Sequence, residues 1–314
     1  MKRVLIIVIA AAFAASAHGT WVYEGQWGTP GTGNGQFNRP TGLAVAANGN
    51  VYVAEWYNYR VQYFTATGSF LGKWGSRGYG NGQFSGPCGV AVAPNGNVYV
   101  VDDWGGNRVQ YFTATGSYLG QWGSFGSGKG EFWNPEGVAV APNGNVYVGD
   151  FNNCRVQYFT ATGSYLGQWG SRGSGNGQFT GVLGVAFSGN DRVYVADGID
   201  NFWVQYFTAT GSFLGKWGVD NPWGVDVAPN NDVYVTEIQN SRITYFTSSG
   251  SYLGQWGSPG SGNGEFEKPY YSAFSSDGRR VYVTDSGNHR VQYFKDTEFA
   301  VAPASLGRVK ALFR

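Results

Sequence analysis

The sequence predicts an all-β protein, and three observations predict it. Glycine supplies 51 of the 314 residues, well above the usual share of about 7%. Aromatic residues reach 17% while charged residues stop at 13%, the reverse of the balance that keeps a chain disordered. Third, two short phrases recur. Val-Gln-Tyr-Phe begins at Val61, Val109, Val156, Val204 and Val291, with the variant Ile243-Thr-Tyr-Phe between the last two, at steps of 48, 47, 48, 39 and 48. Trp-Gly recurs at Trp27, Trp74, Trp122, Trp169, Trp217 and Trp256, at steps of 47, 48, 47, 48 and 39. Both series count six and both shorten at the same place, as expected of one structural unit repeated six times.

Within a period four strands can be read: Gly89–Ala93, Asn97–Val101, Arg108–Thr113 and Ser117–Trp122. Asn95-Gly96 between the first two, with copies at Asn48-Gly49 and Asn143-Gly144, suits a type I′ hairpin, in which both central residues take positive φ. Thr115-Gly116 and its copies close the next hairpin similarly. Four antiparallel strands in 40–50 residues describe a propeller blade, a sheet that buries its faces only against neighbouring blades. Six such blades over residues 18–294 make a six-bladed β-propeller. The order of the phrases also predicts its closure. Trp21–Gly28 precedes any complete repeat and Arg290–Phe294 has no Trp-Gly strand after it, so the first segment should pair beside the last and remove the gap between the chain's two ends.

The ends of the chain read differently. Lys2 and Arg3 precede an apolar run from Val4 to Ala15, and Ala15-Ser16-Ala17 places small residues for signal-peptide cleavage. Residues 1–17 are therefore expected to direct export, with a mature chain beginning at His18 in the periplasm, at the cell surface or outside the cell. An uncleaved anchor is the competing reading, though the run falls short of the roughly 20 residues that span a bilayer. Residues 295–314 break the repeat and are basic, either an attachment peptide for the cell envelope or a frayed end. Between these ends, residues 18–294 carry 15 Lys and Arg against 18 Asp and Glu. Without a basic surface to displace counterions from phosphates, nucleic acid is disfavoured as a partner.

The run Gly128-Lys-Gly-Glu-Phe-Trp-Asn-Pro-Glu-Gly-Val-Ala-Val-Ala-Pro-Asn-Gly-Asn-Val-Tyr-Val-Gly-Asp150, followed by Asn153-Cys-Arg-Val, resembles the NHL repeat, and Asp285-Ser-Gly-Asn-His-Arg-Val291 is similar to that family's signature. The resemblance covers residues 21–294. It implies a six-bladed propeller, in agreement with the count above, and leaves activity open, because such propellers include protein- and RNA-binding modules, sensor domains and some lyases. Two blades depart from the pattern. Trp203 stands where other blades have Arg, and Val219-Asp-Asn-Pro-Trp223 replaces a long Gly-rich loop.

Comparing the blades separates scaffold from site. Glu55, Asp102, Asp150, Asp197, Glu237 and Asp285 end the second strands, and Arg60, Arg108, Arg155, Arg242 and Arg290 begin the third. An acid and a guanidinium at fixed offset in nearly every blade form a structural brace. The variable loops, between second and third strands and between successive blades, share one face of the ring. Their aromatics are Trp56, Tyr57, Tyr59, Tyr79, Trp104, Phe125, Trp133, Phe151, Phe202, Trp203, Trp223, Tyr270 and Tyr271. Large rings on such loops stack on a sugar or clamp peptide side chains, or else cap the blades and shield the channel rim. Trp56, Tyr57, Trp104, Phe151, Trp203, Trp223 and Tyr270 are the candidate ligand contacts, which makes the expected product a monomeric binding or scaffold module for a protein, peptide or glycan.

The channel mouth is expected at Thr41, Cys88, Glu136, Leu183, Trp223 and Tyr270. Asp226 stands where the other inner strands have Ala44, Ala91, Ala139, Ala186 and Ala273. With Glu136 and backbone carbonyls it would offer oxygen ligands to Ca²⁺; a hydrated channel acid is the alternative. No cofactor is otherwise implied. With only two histidines, His18 and His289, a metal or His-centred catalytic site has few parts. The enzymatic alternative is a carboxylate-dependent lyase or hydrolase using Glu136 and Asp226. Cys88 and Cys154 lie on adjacent blades, one near the axis and one in an outer loop, and are expected as free thiols.

Overall fold

The computed structural model describes residues 20–297, in which 24 strands form six four-stranded sheets and no helix occurs. Blade 1 is β2 (Pro40–Val45), β3 (Val51–Glu55), β4 (Arg60–Phe64) and β5 (Phe70–Trp74). Blades 2 to 5 repeat the order through β6 (Pro87–Val92) to β9 (Tyr118–Trp122), β10 (Pro135–Val140) to β13 (Tyr165–Trp169), β14 (Val182–Phe187) to β17 (Phe213–Gly218), and β18 (Pro222–Val227) to β21 (Tyr252–Trp256). Blade 6 has β22 (Pro269–Phe274), β23 (Arg280–Asp285) and β24 (Arg290–Asp296), and its outer strand is β1 (Trp21–Trp27). The two meet antiparallel from Trp21 opposite Asp296 to Trp27 opposite Val291, so the ring closes as the order of the phrases requires. The apolar leader and the basic end fall in residues 1–19 and 298–314, outside the described residues. No helix among the described residues is long and apolar enough to cross a membrane.

Burial follows a strand's place in its blade. The Val-Tyr-Val second strands are buried on both faces by the flanking blades, as at β7 (Val98–Asp102), and so read as continuous apolar runs. The outer strands alternate, with Leu71, Leu119, Leu166 and Leu214 outward and more than two-fifths exposed. Neighbouring blades are latched by a repeated hydrogen bond. The hydroxyl of the second-strand tyrosine donates to a carbonyl in the next blade's outer hairpin: Tyr52 to Ala114 at 3.0 Å, Tyr99 to Ala161 at 2.9 Å, Tyr147 to Ala209 at 3.1 Å, and, across the closure, Tyr282 to Ala66 at 3.0 Å. The glycine of that hairpin lies under the preceding blade's tryptophan. At Gly116, with φ of 91°, a Cβ would come within 2.6 Å of the Trp74 ring.

One expectation about the turns is corrected. Gly96 has φ of 87°, but Asn95 is absent from the left-handed region, so the loop is no type I′ turn. Instead Gly96 N–H donates to Ala93 O at 2.9 Å and Ala93 N–H to Asn97 O at 2.9 Å, the pattern of an ordinary four-residue turn with a left-handed glycine bulge after it. The copy at Asn48-Gly49 closes alike with Ala47 in the place of Pro94, Gly49 N–H on Ala46 O at 2.8 Å. In both loops the Asn side chain accepts the backbone N–H two residues on, Asn97 N–H on Asn95 Oδ1 and Asn50 N–H on Asn48 Oδ1 at 3.0 Å, which favours this turn. Thr115-Gly116 closes the same way, with Gly116 N–H on Thr113 O at 3.0 Å.

The acid–guanidinium brace is present in five blades. Asp150 meets Arg155 and Asp285 meets Arg290 at 2.7 Å, and Asp102 meets Arg108 at 3.1 Å; these residues are all but buried. Its reach is longer than a hairpin. Arg155 also donates to the carbonyls of Ser127, Gly128 and Glu131 at 2.8 Å, pinning the Gly-rich loop that arrives from blade 2, and Asp150 accepts from the Trp133 N–H of the same loop at 2.8 Å. The brace thus fixes the loops of the variable face. In blade 4, Lys216 lies 4.5 Å above the Trp203 ring and donates to Ser174 O at 3.2 Å, a cation supplied from the outer strand where the Arg is missing.

Around the axis the inner strands run almost in contact. A Cβ on Gly42 would stand 1.9 Å from Cys88 O, and on Gly137 2.5 Å from Leu183 O. Gly42, Gly89, Gly137, Gly184 and Gly224 hold this position in five blades; in blade 6 it is Tyr271. Its buried ring reaches past blade 5 to place its hydroxyl 3.4 Å from Leu183 O in blade 4.

Candidate ligand-binding site at the channel mouth

Tyr271 divides the channel. Its ring lines both a cavity of about 760 Å³ that opens on the variable face and one of about 320 Å³ toward the opposite face. The larger lies within the usual range for small-ligand sites, roughly 300–1,000 Å³. The loops between second and third strands, whose ends the braces join, carry much of its wall. Trp56 and Tyr57 follow β3, Trp104 follows β7, Phe151 follows β11 (Val146–Asp150), and Trp223 and Tyr270 stand in inner strands; all six line the larger cavity.

The rings differ in what they offer. Trp104 is 68% exposed and Tyr57 49%. Trp56 meets Trp104 edge to face at 6.2 Å, and Trp223 meets Tyr270 at 4.8 Å. Tyr270 is buried, and its hydroxyl is taken by Arg39, so it positions another side chain more than it offers a free surface. Trp203 is placed elsewhere. As the first residue of β16 (Trp203–Thr208) it takes the brace position beneath Lys216 and does not line the cavity.

Arg39 was not singled out by comparing aromatics, yet it organises one wall. Its guanidinium lies 5.4 to 5.9 Å from the ring centres of Tyr270, Tyr57 and Trp56, and it donates to the Tyr57 hydroxyl at 3.3 Å and to that of Tyr270. Its backbone N–H donates to His289 Nδ1 at 3.2 Å, so the second histidine supports this wall. Among the described residues no carboxylate pairs with it. Its signal in the sequence was a cation in the loop before Pro40, where blades 2 to 5 have Gly86, Asn134, Gly181 and Asn221; blade 6 has a second cation there, Lys268.

The floor is acidic. Glu136 and Asp103 both line the cavity. Burial pushes the Glu136 carboxyl well above its usual range and the nearby Asp103 charge pushes it further, with the Cys88 thiol and the Arg39 charge working the other way. Burial likewise moves Asp103 up to about 7, opposed by the Trp104 N–H and reinforced by Asp102. Asp103 is 1% exposed, and its Oδ1 has no hydrogen-bond partner. Beneath them the free, buried Cys88 points its thiol at Pro135 O, 3.4 Å away. Cys154 is also free and buried.

Asp226 belongs to the other cavity. It is moved up to about 7 by desolvation, with the backbone N–H groups of Val227 and Phe274 working the other way. Glu136 and Asp226 therefore open on opposite sides of Tyr271, and the acid that shares the mouth with Glu136 is Asp103. Among the described residues no three His, Cys, Asp or Glu side chains gather as metal ligands.

Fold and site define a six-bladed β-propeller with a deep aromatic mouth. Four stretches, residues 37–64, 84–112, 132–159 and 273–294, match the NHL repeat, so blades 1, 2, 3 and 6 of the six-bladed propeller are NHL repeats. The unmatched blades 4 and 5 are those in which Trp203 and Val219-Asp-Asn-Pro-Trp223 break the pattern. Among solved structures, the chain is similar to a gluconolactonase from Xanthomonas campestris (TM-score 0.64, 16% identity, 83% of this chain and 88% of that one). It is similar also to the PQQ-bound form of an aldose sugar dehydrogenase from Streptomyces coelicolor (0.61, 14%, 89% and 98%). A third is an inactive virginiamycin B lyase from Staphylococcus aureus with quinupristin (0.59, 16%, 85% and 82%). At such identities the likeness is one of fold. No curated protein matches by sequence.

Proposed function

We propose that the protein is a binding module that takes a small ligand, a sugar ring or a peptide side chain, in the mouth of its propeller. The observation that carries this reading is the convergence of Trp56, Tyr57, Trp104, Phe151, Trp223 and Tyr270 on one cavity of about 760 Å³. Exposed rings contribute large apolar area at small entropic cost, and contiguous rings do so far more than scattered ones. The tightly repeated Asn-Gly and Thr-Gly hairpins of the opposite face offer no such concentration. A glycan and peptide array probed with the purified chain, then with Trp104→Ala and Trp223→Ala, tests the reading. Hits that both substitutions weaken support it, and hits insensitive to both contradict it.

A second reading, a carboxylate-dependent lyase or hydrolase, rests on the two raised acids Glu136 and Asp103 at the floor. A carboxyl still protonated near neutral pH is equipped to act as a general acid. Glu136→Gln with Asp103→Asn would then abolish turnover of a bound ligand, whereas in the binding reading no turnover is there to lose.

A further inference from the structure

The mouth is chemically lopsided in a way that a purely aromatic clamp does not require. One wall holds the Arg39 guanidinium, fixed by the hydroxyls of Tyr57 and Tyr270 and flanked by three rings, with no carboxylate partner among the described residues. Every brace arginine meets an acid in its own blade; Arg39 alone of the half-buried or buried arginines at this face does not. A partly buried guanidinium without an anion forgoes its strongest hydrogen bonds, the paired ones it makes with a carboxylate. The floor holds Asp103, whose buried Oδ1 has no partner, beside Glu136. A buried oxygen left unpaired is a cost that a ligand hydroxyl would remove.

We propose that the cavity takes a uronic-acid residue of a glycan, its carboxylate on Arg39, its hydroxyls on Asp103 and Glu136, and an apolar face of its ring against the mouth tryptophans. This rests on the binding reading above and names its ligand class. The match is one of chemistry on a single ring. A hexuronate carries an anion at one edge, hydroxyls around the others and C–H faces above and below, and the cavity presents a guanidinium, acidic acceptors and aromatic walls in one space. A simple anion would leave the Asp103 oxygen unpaired, and a neutral sugar would leave Arg39 with its two tyrosine hydroxyls but no anion. Burial raises the Glu136 carboxyl above its usual range and the Arg39 charge acts on the same cavity, and both lower the repulsion that such a ligand would meet at the floor.

The test is calorimetric titration of the purified chain with oligomers of galacturonate, glucuronate and mannuronate, with their methyl esters, with cellotriose as a neutral sugar, and with a short peptide bearing a free terminal carboxylate. At least one uronate is expected to bind about tenfold or more tighter than its ester and than cellotriose, the scale of a charge-assisted pair. Arg39→Met should remove that preference while leaving the weak affinity for the ester, and Arg39→Lys should restore part of it. Unchanged thermal unfolding of Arg39→Lys guards against a folding defect. Esters or cellotriose bound as tightly as the acids, with Trp104→Ala weakening all of them, would overturn the uronate inference and keep the aromatic site. The peptide binding while every uronate fails would overturn it in favour of a terminal carboxylate. No binding of any probe would overturn it, while the array above decides separately on the aromatic site.

Discussion

The indole N–H of Trp21 donates to the hydroxyl of Tyr234 at 3.3 Å, across 213 residues of sequence. In the other blades that tyrosine hydroxyl donates to a carbonyl of the next blade's outer hairpin. Blade 6 has no such hairpin, because its outer strand comes from the other end of the chain, and Trp21 supplies the missing partner. Trp21 also packs against Trp256 and Phe274, at 5.9 and 5.7 Å. The closing strand is thus held by backbone pairing on one side and by a side chain reaching into blade 5 on the other. Trp21→Phe keeps much of the ring packing and loses the hydrogen bond. We expect it to cost about 1 kcal/mol, and Trp21→Ala about 3 kcal/mol or more, measured by equilibrium denaturation.

The braces should prove far more sensitive than surface ion pairs. Arg155→Met leaves Asp150 buried without its cation and frees three carbonyls of the loop from blade 2. A loss of about 3 kcal/mol or more is expected, with faster amide exchange in residues 124–133. Arg279→Met, whose ion pair with Asp277 is exposed, should change stability by less than about 0.5 kcal/mol.

Asp226 is expected to make stability fall as pH rises. Its carboxyl is held near 7 in the folded chain and returns to the ordinary range, about 3.9, on unfolding. Between these values the folded state binds the extra proton, so raising the pH through that window weakens the fold. Asp226→Asn should match the parent near pH 4 and exceed it near pH 8 by on the order of 4 kcal/mol. A gain that is equal at both pH values would show that the acid is not desolvated.

Tyr271 is expected to plug the channel. Tyr271→Ala would open a void between the two cavities and cost about 3 kcal/mol or more by the usual scale for deleting a buried aromatic. Gly42→Ala, by contrast, forces a Cβ against Cys88 O, and should disrupt the pairing of blades 1 and 2 outright. Soluble yield and thermal unfolding of the two variants distinguish a plug from a contact the ring cannot do without.

How legible all this is in the sequence depends on whether a feature repeats. The blades, their strands, the closure by Trp21–Trp27 and the Asp150–Arg155 type of brace are stamped several times into the chain, so local chemistry and spacing define them. Features that occur once are harder to read. Tyr271 breaks a column of five glycines, a visible signal, but its meaning depends on how close the inner strands approach, which spacing along the chain does not convey. Glu136 and Asp226 look like one site when both are assigned to the axis; the depth of each, and the ring between them, separates them. Trp203 reads as a loop aromatic because its blade lacks an arginine, and only the position of Lys216 above it shows that it fills the brace site. Asn95-Gly96 shows the limit of a dipeptide signal: the pair suits two turn types, and the bond from Asn97 N–H to Asn95 Oδ1 goes with the one in which only the glycine takes positive φ.

The most direct measurement is the place of the ligand itself: diffraction from crystals grown with the tightest-binding sugar or peptide of the array. The account predicts density in the larger cavity, in contact with Trp104 and Trp223 and above Glu136. A ligand seated on the Asn-Gly and Thr-Gly hairpins of the opposite face, or in the smaller cavity beside Asp226, would contradict it.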